Sequence, residues 1–176
     1  MILETIGIIL IIIGLLILFT TSFLSRLNHN FPKKKRNELM NFCILIPARD
    51  ESKVIEDLLI SIKNQTKKVN MKDVYIIVEN EIDPTVKIAS KYGATIFIRK
   101  RLDLKRKGYA LDECIKDLKE KNIYYDAYFI FDADNVLDKN YLKEMEKSYK
   151  EGYDIATGYR NLKNGNDSLI SACSGI

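Results

Sequence analysis

Residues 6–24 form a run of nineteen residues without a charged side chain, made almost entirely of Ile, Leu, Gly, Phe and Thr. As an α-helix, this run would measure about 28 Å at ~1.5 Å per residue, close to the roughly 30 Å hydrocarbon core of a bilayer. The helix would be apolar on every face, whereas a helix that packs on a soluble core has one apolar stripe. We therefore interpret residues 1–27 as a transmembrane anchor.

A cleaved signal peptide is the competing interpretation of the N-terminus. Such a peptide normally has a positively charged start, a shorter apolar run and a small-residue cleavage site, whereas this chain carries Glu4 and no Lys or Arg before the run. Basic residues instead follow it, at Arg26 and in 33–36, and make residues 28–40 a basic linker. The positive-inside tendency then predicts a single-pass anchor in the plasma membrane, with the bilayer as a partner and the globular part in the cytoplasm.

Composition excludes several kinds of site. Three cysteines without metal-ligand spacing suit a reducing compartment. The only histidine, His29, lies in the linker, which excludes a Ser-His-Asp triad and a histidine-rich metal site. The net charge of +4 comes largely from the juxtamembrane residues and one later basic run, a pattern that suits anionic lipid and phosphate. Without interleaved aromatic residues, we predict no nucleic-acid partner.

After the linker, short β-branched runs alternate with longer stretches of helical spacing. This alternation predicts an α/β fold with a mostly parallel sheet, in one domain over residues 41–176. Apolar residues recur on one helical face within 55–62, 111–118 and 142–149. The predicted strands, read as largely buried on both faces, are Phe42–Pro47, 74–79, 95–99, 127–132 and 154–157.

Polar segments follow four of these strands. In an open parallel sheet the ligand crevice lies outside the carboxyl ends of the strands, so we expect the chemistry in residues 47–51, 79–81, 99–107 and 132–134. No glycine-rich loop of the Walker or dinucleotide type is present in the sequence. Phosphates would therefore be held by cationic side chains or by a metal.

Asp132 and Asp134 lie two residues apart at the end of a predicted strand. In extended backbone their carboxylates point to the same side, with Ala133 opposite. Two like charges ~5 Å apart at an effective dielectric of ~20 repel by roughly 3 kcal/mol, which a divalent cation relieves while it recruits a diphosphate. The alternative is a solvated turn that includes Asn135, because Asp and Asn are common turn residues.

Two further segments allow a functional and a structural interpretation. Six of the nine residues 99–107 are Lys or Arg, placed just before a predicted helix near Gly108. They would attract phosphate together with the helix N-terminus, or they form a solvated loop. Arg49, Asp50 and Glu51 either begin the next helix with acidic residues that suit its dipole, or form a nucleotide-facing loop beside Glu79.

Taken together, these motifs resemble the family 2 inverting glycosyltransferases of the GT-A fold, especially the membrane-bound bacterial members. The resemblance extends from about Phe42 to the last residue. Residues 46–51 are similar to the family's Pro-x-x-Asn-Glu opening, and Asp132 and Asp134 are similar to its Asp-x-Asp motif. The other matching segments are 78–80 with 83–85, and 107–111.

The resemblance implies a UDP-sugar donor and assigns its nucleoside side. Pro47, Ala48 and Glu51 would line the nucleoside pocket, and Glu79 would contact the base. The sequence departs from the family at two of these positions. Asp50 replaces the usual Asn, and Glu79 stands where Asp is more usual, which bears on the identity of the base.

The resemblance also assigns the diphosphate side. Lys107 would lie near the donor, Asp132 would face the ribose, and Asp134 would hold Mg²⁺ or Mn²⁺ on the diphosphate. The sugar would pass with inversion to a glycan or lipid acceptor. The family's general base lies well downstream of the Asp-x-Asp motif, so we expect it beyond Ile176 and the domain to be incomplete.

Two other functions remain open at this point. Residues 131–137 also resemble the nucleophile motif of haloacid-dehalogenase-like phosphatases, with Asp132 as nucleophile and Asp134 as acid and base. That motif normally opens its domain, whereas three strand-helix units precede it here. A truncated domain that binds nucleotide without catalysis belongs to a different class of function.

Overall fold

The computed structural model of the protein describes residues 2–27 and 35–159. The chain divides into two compact units, Met1–Lys34 and Lys35–Ile176. His29, most of the predicted linker and the final segment 160–176 lie outside the described residues.

Helix α1 (Ile2–Leu27) contains the apolar run predicted from the sequence. Its segment Thr5–Leu24 has a mean hydropathy of 2.7 and side chains that are exposed along its length. The hydroxyl groups of Thr20 and Thr21 donate hydrogen bonds to the carbonyl of Ile17 at 3.0 and 2.9 Å, so the helix satisfies its own polar side chains. By length and composition α1 can cross a membrane, a test that a signal sequence also passes.

The second unit is built on a four-stranded parallel sheet with the strand order β3-β2-β1-β4. Its strands are β1 (Phe42–Pro47), β2 (Val74–Val78), β3 (Thr95–Ile98) and β4 (Ala127–Ile130). The prediction of an α/β fold with a parallel sheet is confirmed. The first four predicted strands are present, each ending within two residues of the predicted bound.

Helices cover both faces of this sheet because alternate strand residues point to opposite sides. Ile44 and Ile46 of β1 face the first cluster of buried side chains, whereas Cys43 and Leu45 face the second. On the first face lie α2 (Ile55–Lys63), α3 (Pro84–Lys91) and α5 (Tyr141–Lys150); on the second lies α4 (Lys107–Glu120).

Burial differs between the central and the outer strands. β1 and β2 are almost wholly buried, as predicted for strands covered on both faces. β3 and β4 are only partly buried, and Ile130 of β4 is 46% exposed. The prediction of full burial was therefore wrong for the two outer strands, because each has a neighbour on only one side among the described residues.

The fifth predicted strand, at residues 154–157, is not a strand in the structure. Ile155 is 91% exposed, and Asp154 instead binds the guanidinium of Arg36. Arg36 also donates to the carbonyls of Tyr149 and Tyr153 at 3.3 and 3.0 Å. A short β-branched run forms a strand only where its backbone pairs with another strand, and residues 154–157 are exposed and unpaired with the sheet.

The loop after β1 is held by the first turn of α3. Asp83 caps this helix by accepting from the Thr85 N–H at 2.8 Å, with Pro84 at the first helical position. The same carboxylate accepts from the Asp50 N–H at 3.0 Å, and the Thr85 hydroxyl accepts from the Glu51 N–H at 3.0 Å. Asp50 has a φ of 56° and is thus kept in a left-handed conformation by a buried partner.

The loop after β4 is held in the same way by the end of α2. Gln65 is buried, and its amide donates to the Asp138 carbonyl at 2.7 Å while it accepts from the Leu142 N–H at 3.0 Å. The Ser61 hydroxyl accepts from the Leu137 N–H at 3.1 Å. These bonds satisfy the start of α5 and fix the segment that follows Asp134.

Replacing Gln65 with Ala should destabilise the domain by about 1–3 kcal/mol, because the buried N–H of Leu142 loses its acceptor. Urea unfolding of the full chain in detergent, followed by circular dichroism, measures this change. The control is Lys143→Ala on the exposed side of α5, which should stay within about 0.5 kcal/mol of the wild type. Equal effects of the two substitutions would contradict the role given to Gln65.

The hydrogen bonds of Asp83 lead us to expect that the free energy of unfolding of the domain depends on pH. Burial raises the pKa of its carboxyl group, but hydrogen bonds from Asp50 and Thr85 outweigh this effect and bring the pKa below its usual value. A lowered pKa in the folded state contributes stability above the unfolded pKa, and this contribution disappears as the pH falls through the folded pKa.

Asp83→Asn should therefore cost about 1–2 kcal/mol at neutral pH and progressively less below about pH 4. The measurement is urea unfolding of the wild type and the variant between pH 3 and 7. Asp112→Asn, at an exposed carboxylate on α4, should give a small difference throughout. A cost for Asp83→Asn that is constant across this range would show that the carboxylate charge contributes nothing.

Candidate functional site

The carboxyl ends of β1 and β4 flank the point where the strand order reverses. From β1 the chain proceeds outward through β2 and β3, and β4 then joins the other side of β1. Leu45 pairs with Ile130, and the Phe131 N–H donates to the Leu45 carbonyl at 3.2 Å. The loops after these two strands therefore lie side by side, at the position where open α/β sheets form a ligand crevice.

The β1 side of this crevice is formed by residues 47–51. Ala48 is buried in the core, and its N–H donates to the Ile77 carbonyl at 2.9 Å, whereas Pro47 is half-buried. Glu51 is also half-buried, and its carbonyl accepts from the Ile55 N–H at 3.0 Å at the entry to α2. The loop thus has the helix-entry geometry of the structural interpretation, and it lies at the edge of the sheet required by the functional one.

Glu79 follows β2 and lies between two arginines. One of its carboxylate oxygens is 3.7 Å from Nη1 of Arg49 and 3.8 Å from Nη1 of Arg99. Arg49 is largely exposed, so its pairing is screened by water, whereas the side chain of Arg99 is only 5% exposed. A carboxylate has about four acceptor positions. Long contacts of this kind leave Glu79 able to accept further hydrogen bonds.

Arg99 differs from the other cations of residues 99–107, which we call the basic loop. It donates to the carbonyls of Arg101 and Leu104 at 3.0 and 2.6 Å. Glu113 of α4 accepts from the N–H groups of Lys100 and Arg101 at 2.6 and 3.3 Å. The sequence alone does not distinguish the six cations from one another. In the structure Arg99 is buried and, together with Glu113, determines the shape of the loop, whereas the other five cations are exposed.

Lys107 connects the basic loop to the β4 side of the crevice. It is the first residue of α4, and its ammonium group donates a hydrogen bond to a carboxylate oxygen of Asp132. Both side chains are about half exposed. A cation and an anion paired in solvent at a crevice can each exchange partners when a charged ligand arrives.

Asp132 and Asp134 lie in a turn that Asn135 closes. The Asn135 N–H donates to the Asp132 carbonyl at 3.1 Å, and the Asn135 side chain accepts from the Asp132 N–H at 3.1 Å and donates to a carboxylate oxygen of Asp134 at 3.3 Å. The prediction of extended backbone was wrong here, because the side chain of Asn135 stabilises the turn. Both carboxylates are nevertheless exposed, with Ala133 buried between them.

The residues at this turn suit a metal that arrives with a ligand. Within residues 2–27 and 35–159, no group of three or more His, Cys, Asp or Glu side chains could hold a metal by itself. Carboxylate oxygens are the ligands that Mg²⁺ prefers, and Mg²⁺ is usually held by one or two carboxylates together with substrate phosphates and water. Asp134 is exposed and offers one such carboxylate, and Asp132 lies two residues before it.

A groove of about 240 Å³ lies elsewhere, between β3, the basic loop and the outer face of α4. Its apolar lining is Phe97, Leu104 and Tyr109, and charged residues of α4 form the remainder. None of the residues assigned to the donor from the sequence lines this groove. The crevice between β1 and β4 is therefore the candidate site.

The residues that orient the site were only partly recognisable in the sequence. Asp83 followed by Pro84 is a recognised signal for the start of a helix, and it marks the group that holds the β1 loop. Gln65 and Glu113 carry no such signal, since Gln65 is one polar residue after the helical pattern 55–62 and Glu113 is one polar residue within the pattern 111–118. Their roles come from contacts between segments that are distant in sequence.

Comparison with known proteins gives a family match and several similar structures. Residues 43–174 match the model of the family described as glycosyl transferase family 2. No curated protein sequence matches the chain.

The similar solved structures include three of TarS from S. aureus. The crystal structure of TarS has 16% identity and a TM-score of 0.48, covering 71% of this chain and 24% of that one. TarS 1-349 in complex with UDP has 17% identity and a TM-score of 0.47, with coverage of 71% and 43%. The complex with UDP-GlcNAc has 18% identity and a TM-score of 0.47, with coverage of 71% and 41%. The chain therefore spans less than half the length of these TarS chains.

The family match includes the whole parallel sheet except its first residue, as well as both loops of the crevice. It decides against the phosphatase alternative, in which the segment around Asp132 would open a domain. The chain belongs to glycosyl transferase family 2.

Proposed function

We propose that this chain binds a UDP-sugar together with Mg²⁺ or Mn²⁺ in the crevice between β1 and β4, for transfer of the sugar with inversion to a glycan or lipid acceptor. The observation that carries the proposal is the turn at Asp132 and Asp134 beside the loop 47–51, with Lys107 bound to Asp132. The donor-binding domain in this proposal extends over residues 41–176.

The nucleoside is assigned to the side of the crevice formed by β1 and β2. Pro47 and Glu51 present half-buried surface there, and the backbone around Ala48 is fixed by its bond to Ile77. Glu79 has acceptor capacity for the N–H groups of a base. The bonds from Asp83 and Thr85 keep this loop in place before the ligand binds, which reduces the ordering cost of binding.

The diphosphate is assigned to the side formed by β4 and α4. Asp134 is exposed and would supply an oxygen ligand to the cation, whereas Asp132 would face the ribose. The bound cation would stabilise the negative charge on the departing diphosphate. Lys107 would exchange its contact with Asp132 for a phosphate oxygen, because a divalent cation nearby compensates the released carboxylate.

Helix α1 is proposed as a single-pass anchor in the plasma membrane, with the basic linker 28–40 and the donor-binding domain on the cytoplasmic side. The length and hydropathy of Thr5–Leu24 support the span, and the Lys and Arg residues that follow it support the orientation.

The metal site predicts that Asp134→Asn weakens binding of UDP at least tenfold in the presence of Mn²⁺, because a ligand of the cation loses its charge. Isothermal calorimetry on the full chain in detergent measures the affinity, with UDP and UDP-GlcNAc as probes, since TarS structures contain these two ligands. Asp112→Asn, which removes an exposed carboxylate from α4, is the matched control and should bind as the wild type does.

Three results separate the remaining possibilities when the titration is extended to GDP and CDP and combined with an assay of sugar transfer. UDP affinity that is the same with and without both Mn²⁺ and Asp134 would overturn the proposed site. Binding that depends on both, without transfer to any acceptor tested, would identify the chain as a nucleotide-binding fragment. A preference for GDP or CDP over UDP would overturn the assignment of the base.

Lys107→Gln should weaken UDP binding roughly tenfold, the usual effect of losing one charge-assisted contact with phosphate. Lys116→Gln on the same helix is its control, because Lys116 is exposed and pairs with Asp112, one turn away on the surface of α4. The affinity of both variants is measured by the same titration with Mn²⁺ present. If the two lysines behave alike, Lys107 has no specific role at the crevice.

The anchor predicts that the full chain stays with membranes after carbonate extraction, whereas a chain that starts at Lys35 is released. A chain that starts at Asn37 should also be released but be less stable, since it lacks the bonds from Arg36 to the end of α5. Fractionation and thermal unfolding of the two shortened chains measure these differences. Extraction of the full chain by carbonate would contradict the anchor.

A further inference from the structure

Charge is distributed unevenly over the part of the chain that follows Lys34. The basic loop, residues 99–107, carries six basic residues and one acidic residue. The rest of residues 35–159 carries seventeen basic and twenty-one acidic residues. The positive charge of this unit is therefore concentrated in one loop, on a background that is net negative.

Hydrogen bonds between two buried or half-buried side chains and the backbone determine the shape of the basic loop. Arg99 is buried beneath it and bonds to two of its carbonyls, while Glu113 accepts from two of its N–H groups. These contacts use the backbone of the loop and leave its other cationic side chains outside. The loop thus presents its charge on a fixed backbone, which lowers the entropy lost when it contacts another surface.

Most of these exposed cations have no carboxylate partner. Arg101 contacts Asp103 at 3.4 Å, and Lys107 binds Asp132 at the crevice. Lys100, Lys105 and Arg106 form no ion pair with any carboxylate in the described part of the chain. Their charge is available to an anionic surface.

An apolar side chain lies among these cations. Leu102 is 47% exposed between Arg101 and Asp103, and Tyr109 is exposed one turn into α4. An exposed leucine in a loop rich in Lys and Arg is typical of segments that lie in the headgroup region of a bilayer, where the apolar group enters the acyl boundary and the cations meet anionic lipid. Binding surfaces for free phosphate gain nothing from such a residue.

We propose that the basic loop docks on the anionic lipid headgroups of the membrane that α1 enters, through Lys100, Arg101, Lys105 and Arg106 around Leu102. Each Lys or Arg near a negatively charged leaflet strengthens association roughly five-fold. Binding of this loop alone to the membrane would be weak. In a chain already anchored by α1, however, the loop stays at a high local concentration near the membrane surface. The proposal is independent of sugar transfer and uses only the membrane insertion of α1.

The test uses the full chain reconstituted into vesicles of phosphatidylcholine, with or without about 30% phosphatidylglycerol. An environment-sensitive fluorophore is attached at Leu102→Cys in a Cys173→Ser background. Cys43 and Cys114 remain unlabelled, because burial raises the pKa of each thiol to about 12. The control site is Tyr124→Cys, an exposed position beyond the opposite end of α4.

Lipids with a spin label on the headgroup should quench the fluorophore at position 102 several-fold more in the anionic vesicles than in the neutral ones. Quenching should fall in 0.5 M NaCl and disappear when Lys100, Arg101, Lys105 and Arg106 are all changed to Gln, because the attraction is between surface charges. The fluorophore at position 124 should be equally weakly quenched in both kinds of vesicle.

Equal quenching at position 102 in the two kinds of vesicle would overturn the proposal, as would quenching that survives the four substitutions. Loss of quenching on addition of UDP and Mn²⁺ would also overturn it, since the cations would then serve the donor. The salt series requires no charge substitution, so a variant that fails to fold leaves the proposal testable.

Discussion

The position of β1 between two parallel neighbours determines most of this domain. Because β2 and β4 complete its hydrogen bonds and helices cover both of its faces, its side chains from Cys43 to Ile46 are all buried and apolar. No polar group can be placed along the strand without losing its hydration. The chemistry is therefore confined to the loop that leaves the strand and to the neighbouring loop after β4. The crevice is a consequence of this burial.

Each loop around the site depends on one buried side chain that bonds to backbone groups of the loop. Asp83 holds the loop after β1, Gln65 holds the loop after β4, and Arg99 holds the basic loop. In all three cases the side chain satisfies backbone groups that have no partner in a helix or strand. Loops that carry function need such support, because they bury too little apolar surface to be ordered by packing alone.

Features that follow from local pattern were predictable from the sequence, and features that follow from contacts between distant segments were not. β1 was predicted with its observed bounds because five apolar residues in a row are followed by a proline and a polar loop. The segment 154–157 contains two β-branched residues, but it is exposed and pairs with neither outer strand of the sheet. The charge of Arg99 was visible in the sequence; its burial beneath its own loop depends on Glu113, fourteen residues later. Asp132 and Asp134 were recognised as a pair, but the turn between them is shaped by the side chain of Asn135.

The contacts between Arg36 and the end of α5 affect how a force on the N-terminal part of the chain would reach the sheet. Its N–H donates to the Lys150 carbonyl at 2.9 Å, and its guanidinium contacts Tyr149, Tyr153 and Asp154. Tension that arrives along the preceding chain meets these contacts before it reaches β1, six residues later. A force on the chain would then act on α5 through these contacts. The hydrogen bonds between β1 and its neighbouring strands would not be broken one after another from the start of the strand. The contacts of Arg36 thus join the chain that enters the domain to α5 before it reaches the sheet on which the crevice is built.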